Sequence, residues 1–150
     1  GGPLAAVGDR ISGLNVGDRA PDAVLVDADG KSVRAFDAYR GPHFTAIAFG
    51  DAAGRVLSQI HWPDAGADLR TVAIDAKSST ADLVLADDNR TFRDSYGVTE
   101  DTLFLVRPDG YLASIAVGGE MVSRTEAAIS LLTPPPSGRG SGARPRRSTA

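Results

Sequence analysis

The chain reads as an α/β fold built on a mixed central sheet, and three observations predict it. Phe44-Thr45-Ala46-Ile47-Ala48-Phe49 is a nearly continuous apolar run closing on Gly50, the pattern of a strand buried on both faces. Similar short runs then alternate with helical spacings. Finally, Leu103–Val106 and Tyr111–Val117 are two apolar runs joined by Arg107-Pro108-Asp109-Gly110. Pro108 presets φ and Gly110 accepts φ > 0, so a tight turn joins two antiparallel strands.

The elements follow in order. Gly1 to Val16 is Gly-rich and aperiodic and reads as a flexible arm. Gly17-Asp18-Arg19-Ala20-Pro21-Asp22 is dense in turn formers and leads into a strand at Ala23–Val26. Asp29-Gly30 is a hairpin signal, with Lys31 to Ala35 as the returning strand. Phe36 to Arg40 reads as one helical turn. After the Phe44 strand, Val56, Leu57 and Ile60 lie at helical spacing over Ala53 to His61, and Pro63 stops that helix. Leu69 to Ile74 is a second buried strand and Ala81 to Leu85 a short extended piece. Asp87-Asp88 starts a helix over Asn89 to Tyr96, its acids near the positive end and Gly97 past its close. Phe92 and Tyr96, four apart, face the core. Met121 to Leu132 is a helix with a stripe of Val122, Ala128, Ile129 and Leu132, ended by Pro134-Pro135-Pro136.

From Phe44 the order is β-α-β-α-β-β-α. Strands joined through a helix should be parallel with a right-handed crossover, and the 102–117 pair antiparallel. Helices then cover both faces of the sheet. This is the element order of the thioredoxin fold, extended at its N-terminus by a β-hairpin. Residues 17–133 form the expected folded unit, and the Pro/Gly/Arg-rich tail 134–150 is expected to be disordered.

Composition narrows the functions. A chain of 150 residues with 42% hydrophobic and 23% charged residues is long enough to bury a core unaided. No cysteine is present, which removes disulfides, thiol redox chemistry and thiolate metal sites. No uninterrupted apolar stretch is long enough to span a membrane, and no signal peptide is visible, so a cytoplasmic setting is expected. The formal charge of −3 hides an asymmetry. Arg139, Arg144, Arg146 and Arg147 all lie in the tail, leaving an acidic body that argues against nucleic-acid binding.

Candidate chemistry is sparse. Asp27-Ala28-Asp29-Gly30 begins like a calcium loop, but Lys31, Ser32 and Ala38 stand where acid or amide, Gly and Glu are needed, so a turn is expected. His43 and His61 are the only histidines, and structural roles are expected for both. Ser58, His61 and Asp64 can be drawn as a triad, but three-residue spacing on one helix does not give triad geometry. Gly50-Asp51-Ala52-Ala53-Gly54 joins a strand to a helix whose start could hold an anion, were Asp51 not there. Arg107 is read as solvated. No catalytic, cofactor-binding or metal residue is therefore assigned.

Three stretches carry a resemblance: Gly17-Asp18-Arg19-Ala20-Pro21-Asp22, then Gly41-Pro42-His43-Phe44 leading into Ile47-Ala48-Phe49-Gly50, then Leu105-Val106-Arg107-Pro108-Asp109-Gly110-Tyr111-Leu112-Ala113. Over roughly residues 17–132 the chain resembles the C-terminal thioredoxin-like domain of FAD-dependent aromatic hydroxylases, flavin monooxygenases of phenol- and polyketide-hydroxylase type. It departs from that family at Ser114-Ile115, where Trp-Arg often stands. It departs from working thioredoxins in having no C-x-x-C after Phe49. Val98-Thr99-Glu100-Asp101 also lacks the proline that thioredoxins place in cis beside their cysteines. The resemblance implies an accessory domain, with FAD, NAD(P)H and substrate held by preceding domains of the same polypeptide. It implies no cofactor in this chain and, in some members, a role in dimerisation. A stand-alone redox-inactive thioredoxin-like binding module is the alternative, and a hydrolase using His61 a distant third.

Overall fold

The computed structural model describes residues 14–63, 66–76 and 80–132. Most of the expected N-terminal arm and all of the expected tail lie outside them, as does Asp64.

Val24–Val26 (β1) and Ser32–Arg34 (β2) pair antiparallel, Leu25 opposite Val33. Asp27 fixes their turn. Its Oδ1 accepts the N–H groups of Asp29 and Lys31, each at 2.9 Å, and Gly30 takes φ 83°. A carboxylate that satisfies the turn's own amides is a hairpin device. Ala35–Tyr39 (α1) follows and leads to the central sheet.

That sheet has the order β5-β4-β3-β6-β7. Phe44–Phe49 (β3) pairs parallel with Leu69–Ile74 (β4), which pairs parallel with Leu83–Leu85 (β5). On its other side β3 pairs antiparallel with Thr102–Val106 (β6), and β6 with Leu112–Val117 (β7). The expected β-α-β crossover therefore holds for β3 and β4 but not for the helix before β6. That helix, Thr91–Tyr96 (α3), has six residues. After it the chain passes through residues 97–101 and enters β6 without first returning to the end of the sheet where β3 begins. Thr102 consequently starts β6 opposite Phe49, at the end of the sheet where β3 finishes, and β6 runs the other way.

Alternation along β3 divides two cores. Ile47, with Phe49 beside it, faces Leu25, Val72, Ile74, Phe92, Tyr96, Phe104 and Val106. Phe92 and Tyr96 stack at 4.1 Å, and Phe104 meets them edge-on at 6.0 and 5.0 Å. The opposite face is small: Ala46, Ala48, Ala73 and Ala116 let Asp51–Val56 (α2) and Met121–Leu132 (α4) lie close to the sheet. Helices thus cover both faces.

Three helix readings need correction. The expected Ala53–His61 helix begins at Asp51 and passes into a 3₁₀ turn, Leu57–Gln59, before Ile60 turns extended. The helix expected from Asn89 begins at Thr91, because Arg90 is left-handed at φ 63°. In α4 the bounds are as expected and Ile129 of the expected stripe is buried with Ala128 and Leu132 packed on the same core, but the fully buried row is Met121, Thr125 and Ile129, without Val122. These lie four apart, and a threonine inside such a stripe breaks the apolar pattern that the sequence displays.

Candidate functional site

The strand order reverses between β3 and β6, at the carboxyl end of β3. Such a place is where open α/β sheets usually hold their chemistry. Two segments meet there, Gly50-Asp51-Ala52-Ala53-Gly54 and Asp101. Gly50 takes φ 94° and ψ 162°, and its N–H donates to Ile74 O at 2.9 Å. Asp101 Oδ2 accepts the Ala52 N–H at 2.7 Å. A Cβ on Gly50 would stand 2.5 Å from Asp101 Cγ. The start of α2 therefore already holds a carboxylate. Sequence reasoning expected Asp51 to discourage an anion here. The group that occupies the place is instead Asp101, 49 residues away. With no thiol in the chain, this place cannot perform dithiol exchange.

The acids at the ends of β4 and β5 are engaged in the same way. Asp87 is buried and accepts the N–H groups of Phe92 at 2.9 Å and Arg93 at 3.0 Å, together with Arg93 Nε at 3.1 Å. Asp75, left-handed at φ 54°, accepts the Asp87 N–H at 3.0 Å. Arg93 also lies over the Phe49 ring, 5.9 Å from its centroid. These contacts hold α3 in place. Among the described residues no three His, Cys, Asp or Glu side chains group as a metal site.

Each histidine sits among its own hydrogen-bond partners, and Asp64 of the drawn triad lies outside the described residues. His43 spans a loop, with Nε2 3.1 Å from Arg40 O and Nδ1 3.1 Å from Thr45 Oγ1. Nδ1 also lies 3.1 Å from Phe44 O, and whichever ring nitrogen is protonated donates to the carbonyl it faces, Arg40 O from Nε2 or Phe44 O from Nδ1. His61 is exposed, its backbone N–H donating to Glu126 Oε2 at 3.0 Å. The Ser58 hydroxyl donates to Arg55 O at 3.1 Å.

At the opposite end of the sheet lies a cluster that sequence reading missed. Arg19 crosses Tyr111, its guanidinium 4.8 Å from the ring centroid and Nη2 donating to the phenol oxygen at 3.2 Å. Arg107, expected to be solvated, lies 5.6 Å from the same centroid and forks onto Asp109, Nε to Oδ1 at 3.1 Å and Nη2 to Oδ2 at 2.6 Å. Backbone pairing builds the cluster. Ala20 N–H donates to Gly110 O at 2.9 Å, and Leu112 N–H to Asp18 O at 2.8 Å. Two stretches 92 residues apart thus meet, and only their shared density of turn residues hinted at it.

Neither the start of α2 nor the depression beside β5 fits the pyrophosphate of FAD. The helix start is filled by Asp101. An open depression of about 460 Å³ beside β5 is walled by Val26, Val84, Leu85 and Ala86, with Asp27 and Asp75 at its border. Those carboxylates would repel a pyrophosphate.

No family model matches the chain. A flavin-dependent monooxygenase of Mycobacteroides abscessus is 37% identical over 119 residues, covering 78% of this chain and 19% of that protein. The chain therefore spans about a fifth of the length of this relative. Among solved structures, the thioredoxin domain of a thiol-disulfide oxidoreductase from Bacteroides vulgatus aligns with a TM-score of 0.55 at 18% identity, covering 78% of this chain and 99% of that one. A peroxiredoxin-like protein from Aquifex aeolicus aligns at 0.52 and 16% identity, covering 69% and 76%. A thiol peroxidase from Chromobacterium violaceum aligns at 0.52 and 19%, with the same coverage. The chain has a thioredoxin-like fold, and part of a flavin-dependent monooxygenase is its relative in sequence.

Proposed function

We propose that this chain is the C-terminal accessory domain of an FAD-dependent aromatic hydroxylase of phenol- or polyketide-hydroxylase type, and that it is not catalytic by itself. The observation that carries the reading is the 37% identity through 78% of this chain and only 19% of a flavin-dependent monooxygenase. The filled helix start at Asp101 supports it, since a thioredoxin-like scaffold without thiols is suited to packing rather than exchange. Residues 17–133 form the packing unit. FAD, NAD(P)H and the aromatic substrate bind in the domains that precede it, in a cytoplasmic enzyme in which this unit can also contribute to a homodimer.

Flavin content tests the reading. The whole translation product of the gene is expected to be yellow, with an upstream strand–G-x-G-x-x-G–helix unit, and the 150-residue chain alone colourless. A gene product no longer than this chain, or stoichiometric flavin retained by the chain itself, overturns it. A second reading, a stand-alone redox-inactive binding module, draws on the 99% coverage of the Bacteroides vulgatus thioredoxin domain. A gene product of this length that captures a protein partner would favour it.

A further inference from the structure

We propose that the face formed by Arg19, Tyr111 and Arg107, continued by Phe36 and Arg40, docks this domain onto a carboxylate-bearing surface of the part of the same polypeptide that precedes it. The inference rests on the accessory-domain reading and deepens it by naming the surface.

The buried Tyr39 joins the two parts from beneath: its ring meets Phe36 edge-on at 5.5 Å, and Arg40 lies 5.5 Å from the Phe36 centroid. A Cβ on Gly110 would stand 3.8 Å from the Tyr39 ring and 3.6 Å from Arg19 Nη1, so this glycine seats the two side chains together. Phe36 is 39% exposed although it belongs to a helix whose other face is core. Arginine stacked on tyrosine and phenylalanine is the composition of interface anchors rather than of ordinary solvated surface.

The chemistry of the partner follows from Arg19. Arg107 is matched by Asp109 and Arg40 by Asp37 at 3.8 Å. Arg19 is exposed and pairs with no carboxylate among the described residues. It is nonetheless held in one geometry by the Tyr111 ring and hydroxyl. A planar fork already ordered in this way gives up less conformational freedom when a carboxylate binds it.

The identity of the partner follows from the path of the chain. Asn15 to Ala20 runs beside the Gly110–Leu112 backbone, Gly17 N–H donating to Leu112 O at 2.8 Å. The described chain thus begins beside this face. The helix start at Asp101 lies at the other end of the sheet, since Val106 pairs with Thr45 and Thr102 with Phe49.

Hydroxyl-radical footprinting of the whole gene product and of the 150-residue chain tests the proposal. In a flavin-bearing gene product, Tyr111 and Phe36 should label about threefold less than in the chain alone, independently of protein concentration. Arg19→Glu in the gene product should restore their labelling without lowering its melting temperature. The wild-type comparison stands by itself should that variant not fold. Equal labelling in a flavin-bearing product overturns the docking face and leaves the accessory-domain reading intact. Protection that grows with concentration, or is already present in the 150-residue chain, means a second copy covers the face and overturns the proposed occupant. A gene product without flavin and no longer than this chain overturns the reading itself, and the inference with it.

Discussion

Asp101 and Gly50 share one space: the carboxylate lies where a side chain at residue 50 would have to stand, 2.5 Å from an ideal Cβ. The same carboxylate binds the Ala52 N–H at 2.7 Å, so the contact is how α2 begins. Gly50 also holds φ 94°, which L side chains rarely adopt. Gly50→Ala should therefore destabilise the fold by roughly 2 kcal/mol or more in urea denaturation. Asp101→Ala alone should cost about 1 kcal/mol, the worth of a helix-start hydrogen bond. In the double variant the steric part of the Gly50→Ala cost disappears and the φ strain remains, giving a coupling on the order of 1 kcal/mol. Equal costs of Gly50→Ala in both backgrounds would show that Asp101 is not what excludes a side chain there.

Capping from a distance also explains which elements were legible in the sequence. α1 starts on Asp22, whose Oδ1 accepts the Phe36 N–H at 2.9 Å. α2 starts on Asp101, and α3 on Asp87. None of the three has a side-chain hydrogen bond from its own N-cap residue. Local start signals were therefore missing or displaced, and the expected starts of α2 and α3 were off by two residues. The strands carried their own signals in apolar runs and turn residues, so β3, β4 and the β6–β7 hairpin were readable. The loss of the dithiol site was readable as well, from residue types alone. Its replacement was not, because a contact between residues 52 and 101 leaves no local pattern. The Arg19–Tyr111 stacking went unseen for the same reason.

Two unpaired hydroxyls lie where α4 and the sheet meet, one on each side. Ser114 Oγ and Thr125 Oγ1 are buried and have no hydrogen-bond partner among the described residues. Ser114 pairs with Leu105 on β6, which places it on the α4 side of the sheet. A buried hydroxyl without a partner keeps its desolvation cost and gains nothing in return. Thr125→Val, which keeps the shape and removes the oxygen, should raise stability by about 1 kcal/mol. Ser114→Ala should be neutral or gain less, because the oxygen it removes also fills space. Destabilisation by Thr125→Val, read in urea denaturation, would mean that the hydroxyl has a partner.

Asp22 makes stability depend on acid. Partial burial pulls its pKa up, but this is outweighed by hydrogen bonds from the Phe36 N–H, from Arg34 and from the Ala23 N–H, and the carboxyl is held below the ordinary 3.8. The folded state therefore binds this proton less readily than the unfolded chain. Stability from this group is complete above 3.8 and is lost as pH falls through the lower folded value. Asp22→Asn should lower stability at neutral pH and flatten its decline below pH 3.8. An acid limb as steep in the variant as in the wild type would assign the dependence to other carboxylates.

Tyr96 sets the opposite limit. Its ring is fully buried, and its hydroxyl donates to Pro21 O at 2.6 Å, fastening the segment that leads into β1. Burial, with smaller contributions from Tyr39 and Asp22, pushes the phenol pKa well above the ordinary 10.0. The unfolded chain releases this proton as pH passes 10.0, while the folded state retains it. The stability contributed is full below 10.0 and declines as pH rises above it. Tyr39 is shifted the same way, chiefly by burial, and its hydroxyl donates to Ala20 O at 2.8 Å. Tyr96→Phe should cost about 1 kcal/mol at neutral pH, by leaving the Pro21 carbonyl without its donor. Above pH 10.0 that cost should shrink, because the wild type alone carries the penalty of keeping this phenol protonated. Urea denaturation of both proteins on either side of that pH measures the difference, and a gap that stays constant would show that Tyr96 ionises as freely in the folded protein as in the unfolded one.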